Sequence, residues 1–236
     1  MDLPINFTSA AYLIADPTRA LMLMHLVDGR AYPAGELAYA AGITAQTASS
    51  HLSKLLAGGL LSVQAQGRHR YYRLAGAHIA SILEQLAGLT PEHPLQRKPL
   101  SPKARQLSFA RCCYDHLAGS LGVALTDALL ACGYLTASTD RIFEVSGTGQ
   151  IWFQNLGLDL STLGHHRTGV ARQCLDWTER RPHLAGPLGV RLLALLYAKG
   201  WLRRHKNSRA VQITAQGHAG LKEHLGLDFE AGLSHH

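Results

Sequence analysis

The N-terminal part of the chain alternates between short apolar helices and glycine stops. Asp16-Pro17 places a capping carboxylate before a proline that suits the first helical position, and an apolar helix follows. A second short helix over 33–41 ends at Gly42, and a third begins at Thr44 and ends near Gly58. A short turn between two such helices is the spacing of a helix-turn-helix.

The segments after the third helix predict a hairpin and a closing helix. Residues 60–64 and 70–74 are strand-like, and the residues between them, 66–69, include the glycine that turns a hairpin tip. A further helix over 76–87 carries apolar residues at helical spacing. We therefore predict a winged helix-turn-helix domain over residues 1–90.

The next segment separates this domain from the rest. Residues 91–103 contain four prolines and mixed charges, a composition that breaks helices and strands. We predict an exposed linker there and a second domain over residues 104–236.

The second domain contains an internal repeat. The ten residues from His116 to Leu125 return from His183 to Leu192 with eight identities. Each copy is interpreted as a helix, a glycine stop and a hairpin, and glycines three residues apart predict that the copies pack closely about a pseudo-twofold axis. The fold class is therefore mainly α with small β-hairpin wings: an N-terminal winged helix-turn-helix plus a C-terminal domain of two helix-hairpin repeats.

Composition favours a polyanionic partner. The 23 lysines and arginines outnumber the 16 acids and give a net charge of +7, which favours nucleic acid over a membrane surface. The N-terminus lacks a signal-peptide pattern and no stretch is long enough to span a bilayer, so we expect a cytoplasmic protein without a membrane partner. The four cysteines do not form a disulfide framework and are expected to be reduced.

The helix that begins at Thr44 is amphipathic. A step of about 100° per residue turns Ala48, Leu52 and Leu55 inward and leaves an outward face of hydroxyls and one amide without an acid. Such a face suits a DNA groove, the alternative being a solvated helix face. His51 lies beside the inner face and is predicted to be partly buried and hydrogen-bonded. The predicted DNA contacts are Thr44, Gln46, Thr47, Ser49, Ser50, Ser53 and Lys54 on the helix, and Arg68, His69 and Arg70 at the hairpin tip.

Several segments in order resemble the ArsR/SmtB family of winged-helix regulators. They are Ile14-Ala-Asp-Pro-Thr-Arg19, Gly35-Glu-Leu-Ala38, Thr44-Ala-Gln-Thr-Ala-Ser-Ser-His-Leu52 and Gly67-Arg-His-Arg-Tyr-Tyr-Arg-Leu74. The resemblance covers about residues 5–90. It implies that the helix from Thr44 enters the major groove of double-stranded DNA, that the tip at 68–70 is the wing, and that the first and last helices of the domain form a homodimer. Members of this family are usually repressors that an effector releases.

The metal sites that the resemblance implies for the first domain are incomplete here. Ala31-Tyr32-Pro33 stands where a cysteine pair would precede Glu-Leu-Ala. At the second site, His78 and Glu92 match ligand positions, whereas Gly76 and Leu89 cannot ligate, so a tetrahedral shell cannot close. We expect no metal sensing within this domain.

The C-terminal repeats are the predicted effector site. The first copy has Cys113 and His116, within a stretch that resembles long-form members of the family, and the second has Cys174 and His183. These four side chains can bind a zinc-like metal or act as redox-reactive thiols. Tyr114 and Trp177 could equally line a cleft for a small organic effector, and for both sets the alternative is a role in the core. No cofactor is assigned beyond a metal ion or small molecule as the candidate effector.

The function that combines these features is an effector-responsive repressor that binds an inverted-repeat operator as a homodimer. The predicted dimer residues are Phe7, Tyr12, Leu13, Ile79, Ile82 and Leu86. An enzyme is not expected, because the chain has no nucleophile elbow, phosphate loop or complete metal set, and Gly147-Thr-Gly149 is interpreted as a hairpin end. The rival is a winged-helix protein-interaction module without specific DNA binding, and the acid-free polar helix face favours DNA.

Overall fold

The computed structural model describes residues 7–66, 69–89, 101–138, 140–164, 169–206 and 208–229. The chain divides into two compact units, Met1–Leu86 and Ala87–His236. Most of the predicted linker, residues 91–100, lies outside the described residues. Its last residues were assigned wrongly, because Ser101 accepts a hydrogen bond from the Ala104 amide and Pro102 begins a helix.

The N-terminal unit has the predicted winged helix-turn-helix fold. Strands β2 and β3 pair antiparallel from Leu61 opposite Leu74 to Gln66 opposite His69, and β1 adds a third strand beside β3. The elements are α1 (Phe7–Ala15), α2 (Pro17–His25), β1 (Tyr32–Pro33), α3 (Ala34–Ala41), α4 (Ala45–Ala57), β2 (Leu61–Gln66), β3 (His69–Leu74) and α5 (Ala77–Leu89), which crosses the unit boundary.

Short-range signals explain the helix ends in this unit. Asp16 caps α2 by accepting from the Arg19 amide, and Thr44 caps α4 by accepting from the Thr47 amide. Gly42 ends α3 with a φ of 67°, a left-handed conformation that glycine adopts without steric cost. These caps fix the turn between α3 and α4.

The C-terminal unit consists of two copies of a larger motif than the sequence predicted. After α6 (Pro102–Phe109), each copy is a hairpin, a helix, a second hairpin and a second helix. The first copy comprises β4 (Arg111–Cys113), β5 (His116–Ala118), α7 (Ser120–Ala131), β6 (Leu135–Ala137), β7 (Ile142–Val145) and α8 (Gly147–Leu156). The second comprises β8 (Ala171–Leu175), β9 (Pro182–Ala185), α9 (Gly186–Ala198), β10 (Leu202–Arg204), β11 (Val211–Ile213) and α10 (Ala215–Leu225).

The interpretation of Gly147-Thr-Gly149 as a hairpin end was wrong. The Ser146 hydroxyl accepts from the Gly149 amide and caps α8, and Thr214 does the same for Gly217 at the start of α10. A serine or threonine before such a segment is an N-cap signal, which the glycines obscured.

Hairpins are exchanged between the two copies. Strands β6 and β7 join β8 and β9 in one antiparallel sheet of order β6-β7-β8-β9. In the other direction, the β10–β11 hairpin meets β4 through an antiparallel bridge between Arg111 and Ala210. The second hairpin of each copy therefore lies against the first hairpin of the other, and one apolar core spans both copies.

The closely packed glycines let helices approach neighbouring backbone. The nearest contact of each lies within its own copy, and a Cβ on Gly189 would also lie 3.4 Å from the His116 Cβ of the other copy. A Cβ on Gly122 would lie 2.7 Å from the Leu117 carbonyl oxygen, and one on Gly189 would lie 2.6 Å from that of Leu184. Each glycine lets a helix approach the strand that precedes it. Over the described residues, every helix is too short or too polar to cross a membrane.

Candidate DNA-binding surface and Cys/His cluster

Helix α4 is fixed to the N-terminal core by the three residues predicted to face inward. Ala48, Leu52 and Leu55 are at most 1% exposed, and they belong to the core that also holds Met22 and Leu37. The helical period therefore correctly separated the buried side of α4 from its outer side.

The outer side of α4 is polar and fully accessible. All seven side chains that we predicted to contact DNA on this helix are exposed: Thr44, Gln46, Thr47, Ser49, Ser50, Ser53 and Lys54. The Ser49 hydroxyl donates to the Ala45 carbonyl at 3.0 Å and the Ser53 hydroxyl donates to the Ser49 carbonyl at 2.9 Å. The Ser49 and Ser53 oxygens therefore remain available as acceptors. Gln46 is the amide on this face, and its separate donor and acceptor atoms suit bidentate pairing with an adenine edge.

Asp16 connects three helices of the unit, a role that the sequence reasoning missed. It caps α2, lies 3.6 Å from Arg19, and its Oδ1 lies 3.7 Å from His51 Nδ1 on α4. Arg19 is buried and donates to the carbonyls of Tyr12 and Leu13 at the end of α1. The His51 side chain is 16% exposed, as expected for a partly buried residue. The predicted hydrogen bond is not formed at Nδ1, which has no partner within the described residues.

The wing carries exposed cations. Arg70 is exposed, as is Arg73, which the sequence reasoning did not single out and whose Nε donates to the Ser62 hydroxyl at 3.3 Å. The strand period was the available signal, because Tyr72 and Leu74 alternate with Arg73 and are buried. Arg68 and the side chain of His69 lie outside the described part of the structure.

The predicted dimer residues divide into two groups. Tyr12, Ile82 and Leu86 are 63%, 49% and 43% exposed. Ile79 was assigned wrongly, because it is 6% exposed and packs in the core of its own unit. Leu13 is partly buried against that core, and the side chain of Phe7 lies outside the described set.

Four predicted effector residues meet in the C-terminal unit. Cys113 is paired with His116 across β4 and β5, and Cys174 is paired with His183 across β8 and β9. The ligand atoms of all four side chains lie within 4.8 Å of one another, and the two histidine Nε2 atoms are 3.1 Å apart. Three of the four are buried, and Cys174 is half-buried. The chemistry of this cluster, two thiols and two imidazoles around one point, is that of a soft or borderline metal site.

Acidic side chains lie behind both histidines. Asp115 Oδ1 is 2.9 Å from His116 Nδ1, and Asp176 Oδ2 is 3.8 Å from His183 Nδ1. Asp176 is buried and also accepts from Arg111 at 2.9 Å and from the Gly119 amide at 2.7 Å. Each aspartate follows the cysteine of its copy by two residues, whereas no sequence signal indicates the part played by Arg111 and Gly119.

These surroundings shift the pKa values of the cluster. The hydrogen bond with Cys174 and burial raise the pKa of Cys113 to about 12. Burial opposes ionisation of Asp176, but the Arg111 guanidinium, the Thr178 hydroxyl and the Gly119 amide together hold the Asp176 pKa well below its usual value. Burial also disfavours a charged His116, yet Cys113 and Asp115 outweigh it and raise the His116 pKa. Cys113 is therefore a protonated thiol at neutral pH, and Asp176 is an ionised carboxylate.

The two aromatic residues of the alternative effector site, Tyr114 and Trp177, differ in their surroundings. Tyr114 is 57% exposed at the tip of the β4–β5 hairpin, and the Arg111 guanidinium lies 5.3 Å from the Trp177 ring centroid. A cavity between the copies is apolar and has neither aromatic residue in its lining, which is formed by Leu117, Gly122, Leu125, Leu184, Gly189, Leu192, Leu193 and Leu196.

Comparison with known proteins places these features in a family. The family described as Helix-turn-helix domain matches residues 14–64. An uncharacterized HTH-type transcriptional regulator, YdfF of Bacillus subtilis, is 43% identical over 222 residues, which is 94% of this chain and 98% of that protein. The HTH-type transcriptional regulator CmtR of Mycobacterium tuberculosis is 44% identical over 73 residues, 31% of this chain and 61% of that protein. A solution structure of the same mycobacterial protein, described as a cadmium metal-sensor, is 34% identical and covers 40% of this chain and 97% of its own, with a TM-score of 0.32.

The fold and the exposed helix α4 define a winged helix-turn-helix protein with a DNA-binding domain. The similarity to the Bacillus regulator extends over both units, because it covers 94% of the chain. The chain belongs to the ArsR family of winged helix-turn-helix transcription regulators. It is a transcription regulator, as the relatives are named.

Proposed function

We propose that this chain is a homodimeric repressor that binds an inverted-repeat operator and that an effector in the C-terminal unit sets its affinity for DNA. The observation that carries the DNA-binding part is the outer side of α4, which is exposed over its length, free of acids and held on a buried apolar side. A helix of this kind after a tight turn presents its N-terminal residues to base edges in the major groove.

The wing supports the same surface. Exposed arginines on β3 can neutralise phosphates beside the groove that α4 enters, which gives affinity without sequence preference. The net charge of +7 adds a favourable long-range field for a polyanion.

A second copy of the chain is the proposed partner of the apolar surface formed by Tyr12, Ile82 and Leu86. These side chains lie on the first and last helices of the N-terminal domain, outside the helix-turn-helix. A twofold dimer through this surface would present two α4 helices to half-sites about one helical turn apart or somewhat more.

The experiment that tests the proposal is an operator selection with the purified full chain, followed by footprinting of the selected sequence. We expect an inverted repeat bound by two copies, with affinity that falls steeply as salt rises. A selection that enriches no sequence, while a protein partner is captured through the α4 surface, would favour the interaction-module alternative and overturn the proposal.

A further inference from the structure

The two copies present matching Cys–His pairs to one point. Residues that are directly opposite on paired strands place their side chains on the same face of a sheet, with Cβ atoms about 4.5–5.5 Å apart. Cys113 and His116 satisfy this relation in the first hairpin, and Cys174 and His183 satisfy it in the second. The two pairs meet at one point between the hairpins. There the imidazole rings of His116 and His183 stack, with their centroids 5.0 Å apart.

The distances suit a tetrahedral metal ion. With metal–nitrogen bonds of about 2.0–2.1 Å, two imidazole nitrogens of one tetrahedral shell lie roughly 3.3–3.4 Å apart. The Nε2 atoms of His116 and His183 are 3.1 Å apart, and no pair of the four ligand atoms exceeds 4.8 Å. With metal–sulfur bonds of about 2.3 Å, two sulfurs lie about 3.8 Å apart, so small side-chain rotations complete the shell.

The acid behind His116 orients its Nε2 toward the centre, and a second acid lies near His183. A carboxylate beside Nδ1 favours the tautomer that carries its hydrogen there, as in the carboxylate–histidine–metal arrangement. Asp115 holds this position at His116, and Asp176 lies on the corresponding side of His183, whose buried Nδ1 makes no hydrogen bond in the described structure. The two Nε2 atoms lie at hydrogen-bonding distance, 3.1 Å, and a cation bound between them would replace the proton that they share.

Charge favours a divalent ion over redox chemistry at the thiols. Two thiolates and two neutral imidazoles exactly balance a divalent cation, and a buried shell of this composition is closed to water. A redox-reactive cysteine needs a lowered pKa and access to solvent. Cys113 lacks this access, since it is 5% exposed.

We infer that Cys113, His116, Cys174 and His183 bind one thiophilic divalent ion of the Zn²⁺ or Cd²⁺ class, and that this ion is the effector. Each copy supplies one sulfur and one nitrogen, so the ion fixes the first hairpins of the two copies to each other. Binding releases the thiol protons to solvent as the metal–sulfur bonds form. The regulatory part of the inference rests on the proposed function, because the ion can alter DNA affinity only if it binds one arrangement of the protein more tightly than another.

The test is a Cd²⁺ titration of the reduced, metal-stripped full chain. Binding is detected by the thiolate-to-Cd²⁺ charge-transfer absorption, and native mass spectrometry counts the bound ions. We expect one ion per chain with two thiolate ligands, and Co²⁺ should give the intense visible bands of a tetrahedral site. Cys113→Ser and His183→Gln should each lower affinity by more than 100-fold, whereas Asp115→Asn, on an exposed hairpin tip, should lower it by about 10–100-fold without unfolding the chain.

Two other cysteines provide matched controls. Cys112 precedes a ligand but faces the opposite side of β4, and Cys132 is exposed after α7. Cys112→Ser and Cys132→Ser should retain the ion. A wild-type chain that binds no Cd²⁺ or Zn²⁺, or that binds equally well without the four ligands, overturns the site.

Operator binding with and without Zn²⁺ or Cd²⁺ tests the regulatory part separately. We expect a change in affinity of about 5–150-fold that Cys113→Ser abolishes. If the ion binds at the four ligands and operator affinity does not change, the ion is not the effector and the site is structural. If operator affinity changes with hydrogen peroxide but not with Zn²⁺ or Cd²⁺, the ion is again not the effector. If no operator is bound in any state, the proposed function fails, and the Cd²⁺ titration still decides the site.

Discussion

The Arg111 guanidinium donates to Asp176 Oδ2 at 2.9 Å, and both side chains are at most 1% exposed. The pair joins β4 of the first copy to the segment that follows β8 in the second. Asp176 also accepts from the Gly119 amide and, through Oδ1, from Thr178. This carboxylate therefore connects the two copies directly behind His183.

Loss of the Asp176 charge should destabilise the C-terminal unit. Asp176→Asn removes the carboxylate charge that lies 2.9 Å from the buried Arg111 guanidinium, and breaking such a pair costs about 3–5 kcal/mol. All three tryptophans, Trp152, Trp177 and Trp201, lie in this unit, so urea unfolding followed by tryptophan fluorescence reports it selectively. Asp127→Asn is the control, because the Asp127–Arg181 pair is largely exposed and contributes about 0–1 kcal/mol. Equal losses in the two variants would refute a buried ion pair between the copies.

Two glycines in the first turn of α8 should respond oppositely to alanine. A Cβ on Gly149 would lie 2.1 Å from the Tyr134 carbonyl oxygen, so Gly149→Ala should cost about 1–3 kcal/mol through forced separation of α8 from that backbone. Gly147 has no atom within 4 Å of such a Cβ, and Gly147→Ala should be neutral or stabilise by up to about 1 kcal/mol. The same fluorescence-monitored unfolding measures both, and a stable Gly149→Ala variant would contradict the packing.

Gln46 should determine sequence preference, whereas Arg70 should not. Gln46→Ala should remove about 1–3 kcal/mol of discrimination at one base pair per half-site, because its amide is the bidentate group on the outer face of α4. Arg70→Ala should weaken binding to all sequences alike. It should also lower by about one the slope of the logarithm of the binding constant against the logarithm of the salt concentration. Selection on randomised operators and salt titrations measure the two effects. Gln106→Ala, an exposed glutamine on α6, should change neither.

Ile82 should control the dimer. Ile82→Glu places a charge at an exposed apolar residue of the proposed interface, so the chain should become monomeric and lose tight operator binding at the same time. Sedimentation equilibrium and operator titration check the two losses. Ile151→Glu introduces the same charge at a 61% exposed isoleucine of α8 and should remain a dimer. A dimeric Ile82→Glu chain would place the interface elsewhere.

Local sequence was sufficient for the DNA-binding half. The helical period alone predicted that Ala48, Leu52 and Leu55 are buried, and Thr44 marked the start of α4. Both signals act over a few residues, where backbone geometry fixes direction and capping. The DNA contacts and the dimer remain predictions, and Ile79 shows the limit of the pattern, because a helix period cannot tell a core face from an interface face.

Tertiary structure decided the arrangement of the Cys/His cluster. The repeat predicted that each copy supplies one cysteine and one histidine. Cys174 precedes His183 by nine residues and Cys113 precedes His116 by three, so the spacing did not show that both pairs lie directly opposite across a hairpin. Strand register makes them equivalent, and the exchange of hairpins between copies brings Arg111 to Asp176. Pairing between strands this far apart in the chain depends on how the shared core packs. The residues of that core come from both copies, so no single segment of the sequence predicts the pairing.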